Sequence, residues 1–155
     1  MKPARYAAVL MLLVTSAMAS ADPFVGKWVL NPGRSKCPLG TCPRRMVIEM
    51  QSAGQGIHYR SETIYSDGIT AHSEYTANYG GRQVLVVGDR GLLLPVSLKR
   101  PDSHTVIASY MRGLQVVATS RRVVSRDGKR MTIMTVAKDP SGKNVTYIGA
   151  YEKAR

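Results

Sequence analysis

The sequence predicts an all-β protein, built as a single antiparallel up-and-down β-barrel of about eight to ten strands. Three observations carry this. No window beyond Asp22 shows a sustained helical period with caps at both ends. What recurs instead is a short run rich in Val, Ile, Tyr, Thr and Met, followed by a turn signal. With no helix to cover a sheet face, about ten such runs must close on themselves or fold into two layers, and a small barrel is the economical solution.

Taken in order, the runs are 24–30, 44–52, 57–65, 69–79, 83–87, 92–99, 104–111, 114–125, 130–138 and 144–152. Tight turns separate them, among them Ser66-Asp67-Gly68, Arg112-Gly113, Arg126-Asp127-Gly128 and Asp139-Pro140-Ser141-Gly142. Consecutive runs joined by tight turns become antiparallel neighbours. One hairpin can be placed in register. If Ser66, Asp67 and Gly68 form a three-residue loop with Gly68 at positive φ, Tyr65 pairs with Ile69. One face then collects Tyr59, Ser61, Thr63, Tyr65, Ser73, Tyr75 and Tyr79 with Ile57, Ile69, Ala71 and Ala77. The other collects His58, Arg60, Glu62, Thr70, His72, Glu74 and Thr76, with Glu62 opposite His72 and Arg60 opposite Glu74. A one-residue slip would mix these sets, so their clean separation favours the three-residue loop. The first face is the interior. Its Tyr, Ser and Thr content suits an amphiphilic ligand or trapped water, and equally a core whose hydroxyls reach backbone partners. The candidate ligand-lining residues are Tyr59, Ser61, Tyr65, Ser73, Tyr75 and Tyr79.

Residues 1–21 read as an export signal, and 22–155 as the barrel domain. Lys2 and Arg5 precede the apolar stretch Tyr6 to Val14, and Ala17, Ala19 and Ala21 follow in A-x-A spacing. Cleavage is expected after Ala21, with Ala19 as the alternative. The apolar stretch is far short of the ~20 residues that span a bilayer, so no transmembrane anchor is expected after cleavage. Removing 21 residues, Lys2 and Arg5 among them, leaves 134 residues and takes the net charge from +12 to +10. The mature chain is thus expected to be periplasmic or secreted. Its two cysteines, Cys37 and Cys42, suit a disulfide in an oxidising compartment. Pro38 and Gly40 let the short loop between them turn.

Chemistry-bearing constellations are sparse. Asp67, Asp89, Asp102, Asp127 and Asp139 all fall in turns, where Asp bonds its own backbone. His58, Glu62, His72 and Glu74 cluster on one hairpin face and are weak metal candidates. Arg60 in their midst opposes a cation and offers the glutamates ion pairs. There is no nucleophile elbow, zinc-protease motif or phosphate loop, so no catalytic residue and no cofactor is assigned. Basic residues are dispersed, and neighbours such as Arg121 and Arg122 point to opposite faces of a strand. That dispersal and the export signal argue against nucleic acid, and leave an anionic envelope component as a candidate partner. If Arg121 or Arg122 points inward, it is a buried cation that needs an anionic partner or ligand.

Gly26-Lys27-Trp28 matches the G-x-W that opens the first strand of lipocalins. Together with Glu74-Tyr75-Thr76-Ala77, Val96-Ser97-Leu98-Lys99-Arg100 and Arg122-Val123-Val124-Ser125-Arg126-Asp127-Gly128, it makes the chain resemble small exported bacterial lipocalin-like proteins of largely uncharacterised function. The T-D-Y motif of typical lipocalins is absent. The resemblance implies that Trp28 closes one end of the barrel with a late-strand arginine, here Arg122, stacked on it. The expected function is binding of a small hydrophobic or amphiphilic molecule. The alternatives are a protein-binding module, such as an inhibitor of a secreted protease or lysozyme, and an envelope module that binds anionic polymers.

Overall fold

A computed structural model describes residues 21–38 and 42–155; the rest of the expected export signal lies outside the described residues. The described chain forms one antiparallel sheet of ten strands: β1 (Gly26–Leu30), β2 (Arg45–Ala53), β3 (Gly56–Ile64), β4 (Thr70–Asn78), β5 (Val87–Gly88), β6 (Val96–Asp102), β7 (Thr105–Arg112), β8 (Gln115–Val124), β9 (Arg130–Lys138) and β10 (Asn144–Lys153). The spatial order is β5-β4-β3-β2-β1-β10-β9-β8-β7-β6. Every neighbour is next in sequence except β1 and β10, which bring the two ends of the chain together, as an up-and-down barrel requires. A 3-10 turn, Pro32–Arg34, follows β1.

The β3–β4 hairpin has the expected register. Glu62 lies opposite His72 and Arg60 opposite Glu74. Tyr65 donates its amide to Ile69, and Gly68 has φ +82°, a conformation that any Cβ would strain. Burial alternates along β3, with Tyr59, Ser61 and Thr63 inward and Arg60 and Glu62 exposed.

Two expected strands come out differently. The run 83–87 survives only as the two-residue β5, and the run 92–99 begins at Val96. The cause lies in the glycine-rich stretch before them, which turns away from β4. Gly81 donates to the Leu98 carbonyl, and Val84 and Val96 exchange both backbone bonds. Bridges at Gly80–Lys99 and Val84–Val96 thus tie the chain after β4 to β6, and the two edges of the sheet meet there. β1 starts two residues late because Asp22 accepts from the Val25 amide in a turn.

Odd-numbered connections and even-numbered connections fall at opposite ends. The loop 31–44 and the turns at 65–69, 89–95, 112–115 and 139–143 share one end. At the other end a fully buried plug of Phe24, Trp28, Ile57, Leu98, Val124 and Met131 fills the interior. The Cys37–Cys42 disulfide forms within the loop 31–44. Closing so short a loop contributes about 2 kcal/mol in the loop-entropy picture. Exchanging both cysteines for serine is expected to lower unfolding free energy by about that amount in urea, without loss of the β-sheet circular dichroism signal.

Candidate functional site

The interior is not filled to the top. Above the plug lies a cavity of about 410 Å³ that reaches the loop end, where the exposed Arg90 and Gly91 form part of its wall. Five of the expected lining residues are there: Tyr59, Ser61, Tyr65, Ser73 and Tyr75. Tyr79 is not. It sits at the closed end, where its hydroxyl donates to Asp22 (2.9 Å) and its ring packs under Arg100, whose guanidinium carbon is 4.9 Å from the ring centre. Asp22 also accepts two bonds from Arg100, at 2.9 and 3.2 Å. The hairpin pattern put Tyr79 inward correctly, but the turn before Val25 brings Asp22 to it, so the residue seals the floor.

Deep in the cavity wall lies Arg122, which points inward and is 2% exposed. It does not stack on Trp28. The cation over Trp28 is Lys153, the residue paired with it across β1 and β10, with its ammonium 5.1 Å from the ring centre. Gly26 makes room for this lysine: a Cβ there would fall 2.5 Å from Lys153 Cε, and the backbone has φ +135°. Arg122 instead lies over Tyr59, 4.8 Å from its ring centre, with Tyr75 at 5.9 Å. Those two rings are stacked on each other at 4.8 Å. Cation–π contact of this kind stabilises a guanidinium by about 1–2 kcal/mol, far less than burial of an unpaired charge costs.

The hydrogen bonding of Arg122 is incomplete. Nη2 reaches the Tyr110 hydroxyl at 3.5 Å, the long limit of a hydrogen bond. Nε and Nη1 have no partner among the described residues, nor has the buried Tyr75 hydroxyl. No carboxylate lies among the described residues that line the cavity. Burial works against the charge, but the surrounding tyrosine oxygens, Tyr75 foremost, outweigh it and raise the Arg122 pKa. The side chain therefore remains a cation in the cavity wall, packed against Tyr59, Tyr75 and Tyr110, with two of its nitrogens buried and unpaired.

Burial also dominates the tyrosines. It pushes Tyr59 up to about 12 against the lowering influence of Arg122. Tyr75 and Tyr151 are raised for the same first reason, and Tyr79 by burial and then by Asp22. A tyrosine that ionises only after unfolding favours the folded state below the unfolded value of 10 and loses that advantage as pH rises above it. The contribution of these tyrosines to unfolding free energy is expected to be constant up to pH 10 and to fall beyond it. A 295 nm absorbance titration should show these tyrosines ionising together with unfolding.

Three hydroxyl contacts tie the wall together, and only the first joins residues that the sequence assigns to it. Ser61 and Ser73 share a hydroxyl bond of 2.8 Å across β3 and β4, and Ser120 and Thr135 one of 2.6 Å across β8 and β9. The Tyr151 hydroxyl meets Met46 Sδ at 3.2 Å. The weak metal candidates do not come together: His58 and Glu74 pair with each other (3.3 Å), whereas His72, which also reaches the cavity wall, pairs with Asp89 (3.2 Å). His58 also meets Thr76 (2.9 Å). No three potential ligands converge among the described residues.

No family model matches this chain, and no curated protein does. Among solved structures it is similar to zebrafish ileal bile acid-binding protein complexed with cholic acid. The TM-score is 0.53, over 85% of this chain and 99% of that chain, at 11% sequence identity. What the two share is the fold. This chain is an all-β, up-and-down antiparallel barrel of ten strands, with its cavity in the interior. No helix among the described residues is long and apolar enough to cross a membrane.

Proposed function

We propose that this protein is an exported carrier for a small amphiphile bearing one negative charge, held inside the barrel with its anionic group against Arg122. The single observation behind this reading is a buried guanidinium with two unpaired donor nitrogens lining a cavity that no carboxylate lines among the described residues. A buried ion without a counter-ion costs several kcal/mol, and an anion in the cavity would remove that penalty. The one buried cation in the wall matches a monoanion such as a carboxylate, Arg90 being exposed at the mouth. A phosphate monoester carries about −1.5 to −2 at pH 7 and would leave charge uncompensated. The apolar residues beside and above Arg122, among them Ile133 at its own level and Leu92, Ala137 and Ile148 toward the loop end, suit a hydrocarbon portion. The cholic acid held by the bile acid-binding neighbour is an amphiphilic acid of this general kind. Export rests on the A-x-A segment and accords with the disulfide.

Calorimetric titration of delipidated protein with decanoate, decanol and decyl phosphate tests this. Decanoate should bind at least ~30-fold more tightly than decanol, because breaking a buried charge pair costs about 2–5 kcal/mol. Decyl phosphate should fall below decanoate. Equal affinity for acid and alcohol, or no binding of either, would contradict the reading.

A further inference from the structure

We infer that the preferred ligand is an acid with a hydroxyl group within two or three carbons of its carboxylate, bound head-down with its tail toward the loop end. This rests on the binding mode proposed above and adds the chemistry of the atoms next to the head. The contact of Arg122 with Tyr59 and Tyr75 fixes the relative depth of two opposite walls, β8 on one side and β3–β4 on the other. Inward positions recur every second residue, roughly 7 Å along a strand. One inward step toward the loop end from Arg122 is Ser120, paired with Thr135. One step from Tyr59 and Tyr75 are Ser61 and Ser73, paired with each other. Both hydroxyl pairs line the cavity, and Ser61 and Ser120 are each 4% exposed.

The wall is therefore graded. A cation lies deep in the wall, four hydroxyls stand as a belt one inward step above it, and Ala71 and Ala137, with Thr63 beside Ala71, lead on to a mouth of apolar residues that also carries Arg90. In each hydroxyl pair one O–H donates to the other oxygen, which leaves one O–H per pair uncommitted and lone pairs on both oxygens. A plain alkyl chain seated on the Arg122 carboxylate site would displace water from this belt and offer nothing in return. A hydroxyl placed two or three carbons from the carboxylate meets the belt while the rest of the chain stays beside apolar side chains. The belt hydroxyls already hold one another, so the preference is moderate, about tenfold, rather than the far larger discrimination of a site whose polar groups would be left wholly unpaired.

Calorimetric titration with 3-hydroxydecanoate and decanoate on the unaltered protein measures this directly. The hydroxy acid should bind about tenfold more tightly. In the Ser61→Ala/Ser73→Ala and Ser120→Ala/Thr135→Val variants the ratio of the two affinities should collapse toward one in at least one pair. Equal affinities in the unaltered protein, or a preference that persists in both variants, would overturn the inference while leaving the anionic site standing. If neither acid binds, the anionic site itself fails and the inference falls with it.

Discussion

Replacing Arg122 by Met is expected to stabilise the ligand-free barrel while abolishing capture of an anionic amphiphile. The two effects have one cause. Arg122 is buried with two nitrogens unpaired, so in the empty protein it carries a desolvation cost that a hydrophobic side chain of similar length does not. Replacement of buried charge by well-packed hydrophobic residues stabilises by about 1–4 kcal/mol in comparable situations. The stack on Tyr59 and Tyr75 is lost, but Met packs against aromatic rings nearly as well. The same substitution removes the partner of the ligand's anion, which costs about 2–5 kcal/mol of affinity, a thirtyfold loss or more. Urea unfolding and calorimetric titration on the same preparation separate this from a structural role. A cation that holds the fold together would give the opposite sign in urea, a loss rather than a gain.

The second large effect is expected at the closed end. Trp28 is fully buried and donates its indole N–H to the Phe24 carbonyl at 2.9 Å. Lys153 covers its ring, passes over Gly26, and reaches the Pro23 carbonyl at 3.4 Å. Trp28→Ala leaves a void in the plug, an unpaired carbonyl and a lysine with nothing beneath it. A loss of about 3–5 kcal/mol is expected, the usual range for removing a core aromatic residue. Trp28→Phe should lose distinctly less, because it keeps most of the volume and forfeits only the hydrogen bond. Urea midpoints at constant m-value measure both. A loss below about 1 kcal/mol for Trp28→Ala would show that the plug does not depend on it.

Local chemistry made the β3–β4 hairpin legible in the sequence. A turn with one glycine, flanked by two faces of opposite character, permits only one register, so Glu62 and His72 could be paired across it before any coordinates. The barrel as a whole was legible from the absence of helical period and the spacing of turns. The stretch 79–95 was not, because Gly80 and Val84 bridge to β6 while only Val87 and Gly88 return to β4, and two glycines at 80 and 81 leave the backbone free to go either way. Arg122 was legible only as a conditional. Along β8 the two alternating sets, Ala118-Ser120-Arg122-Val124 and Val117-Thr119-Arg121-Val123, are almost equally polar, so periodicity cannot choose which faces inward. The resemblance puts Arg122 on Trp28, but the pairing of β1 with β10 brings Lys153 there instead. The belt of Ser120 and Thr135 was hidden for the same reason as Arg122. The first hydroxyl pair, Ser61 and Ser73, follows directly from the hairpin register.

The ionisation of a bound carboxylate tests the central claim most directly. Decanoate labelled with carbon-13 at its carboxyl carbon, bound to the protein and titrated from pH 8 downward, reports its own protonation through the carboxyl resonance. A carboxylate against the Arg122 guanidinium is held ionised, so its midpoint should lie at least one pH unit below that of the free acid, about 1.4 kcal/mol of differential interaction. In the Arg122→Met protein any residual bound acid should lose that depression. A bound carboxyl resonance in the unaltered protein that titrates at or above the free acid's midpoint would contradict the placement of the anion beside Arg122.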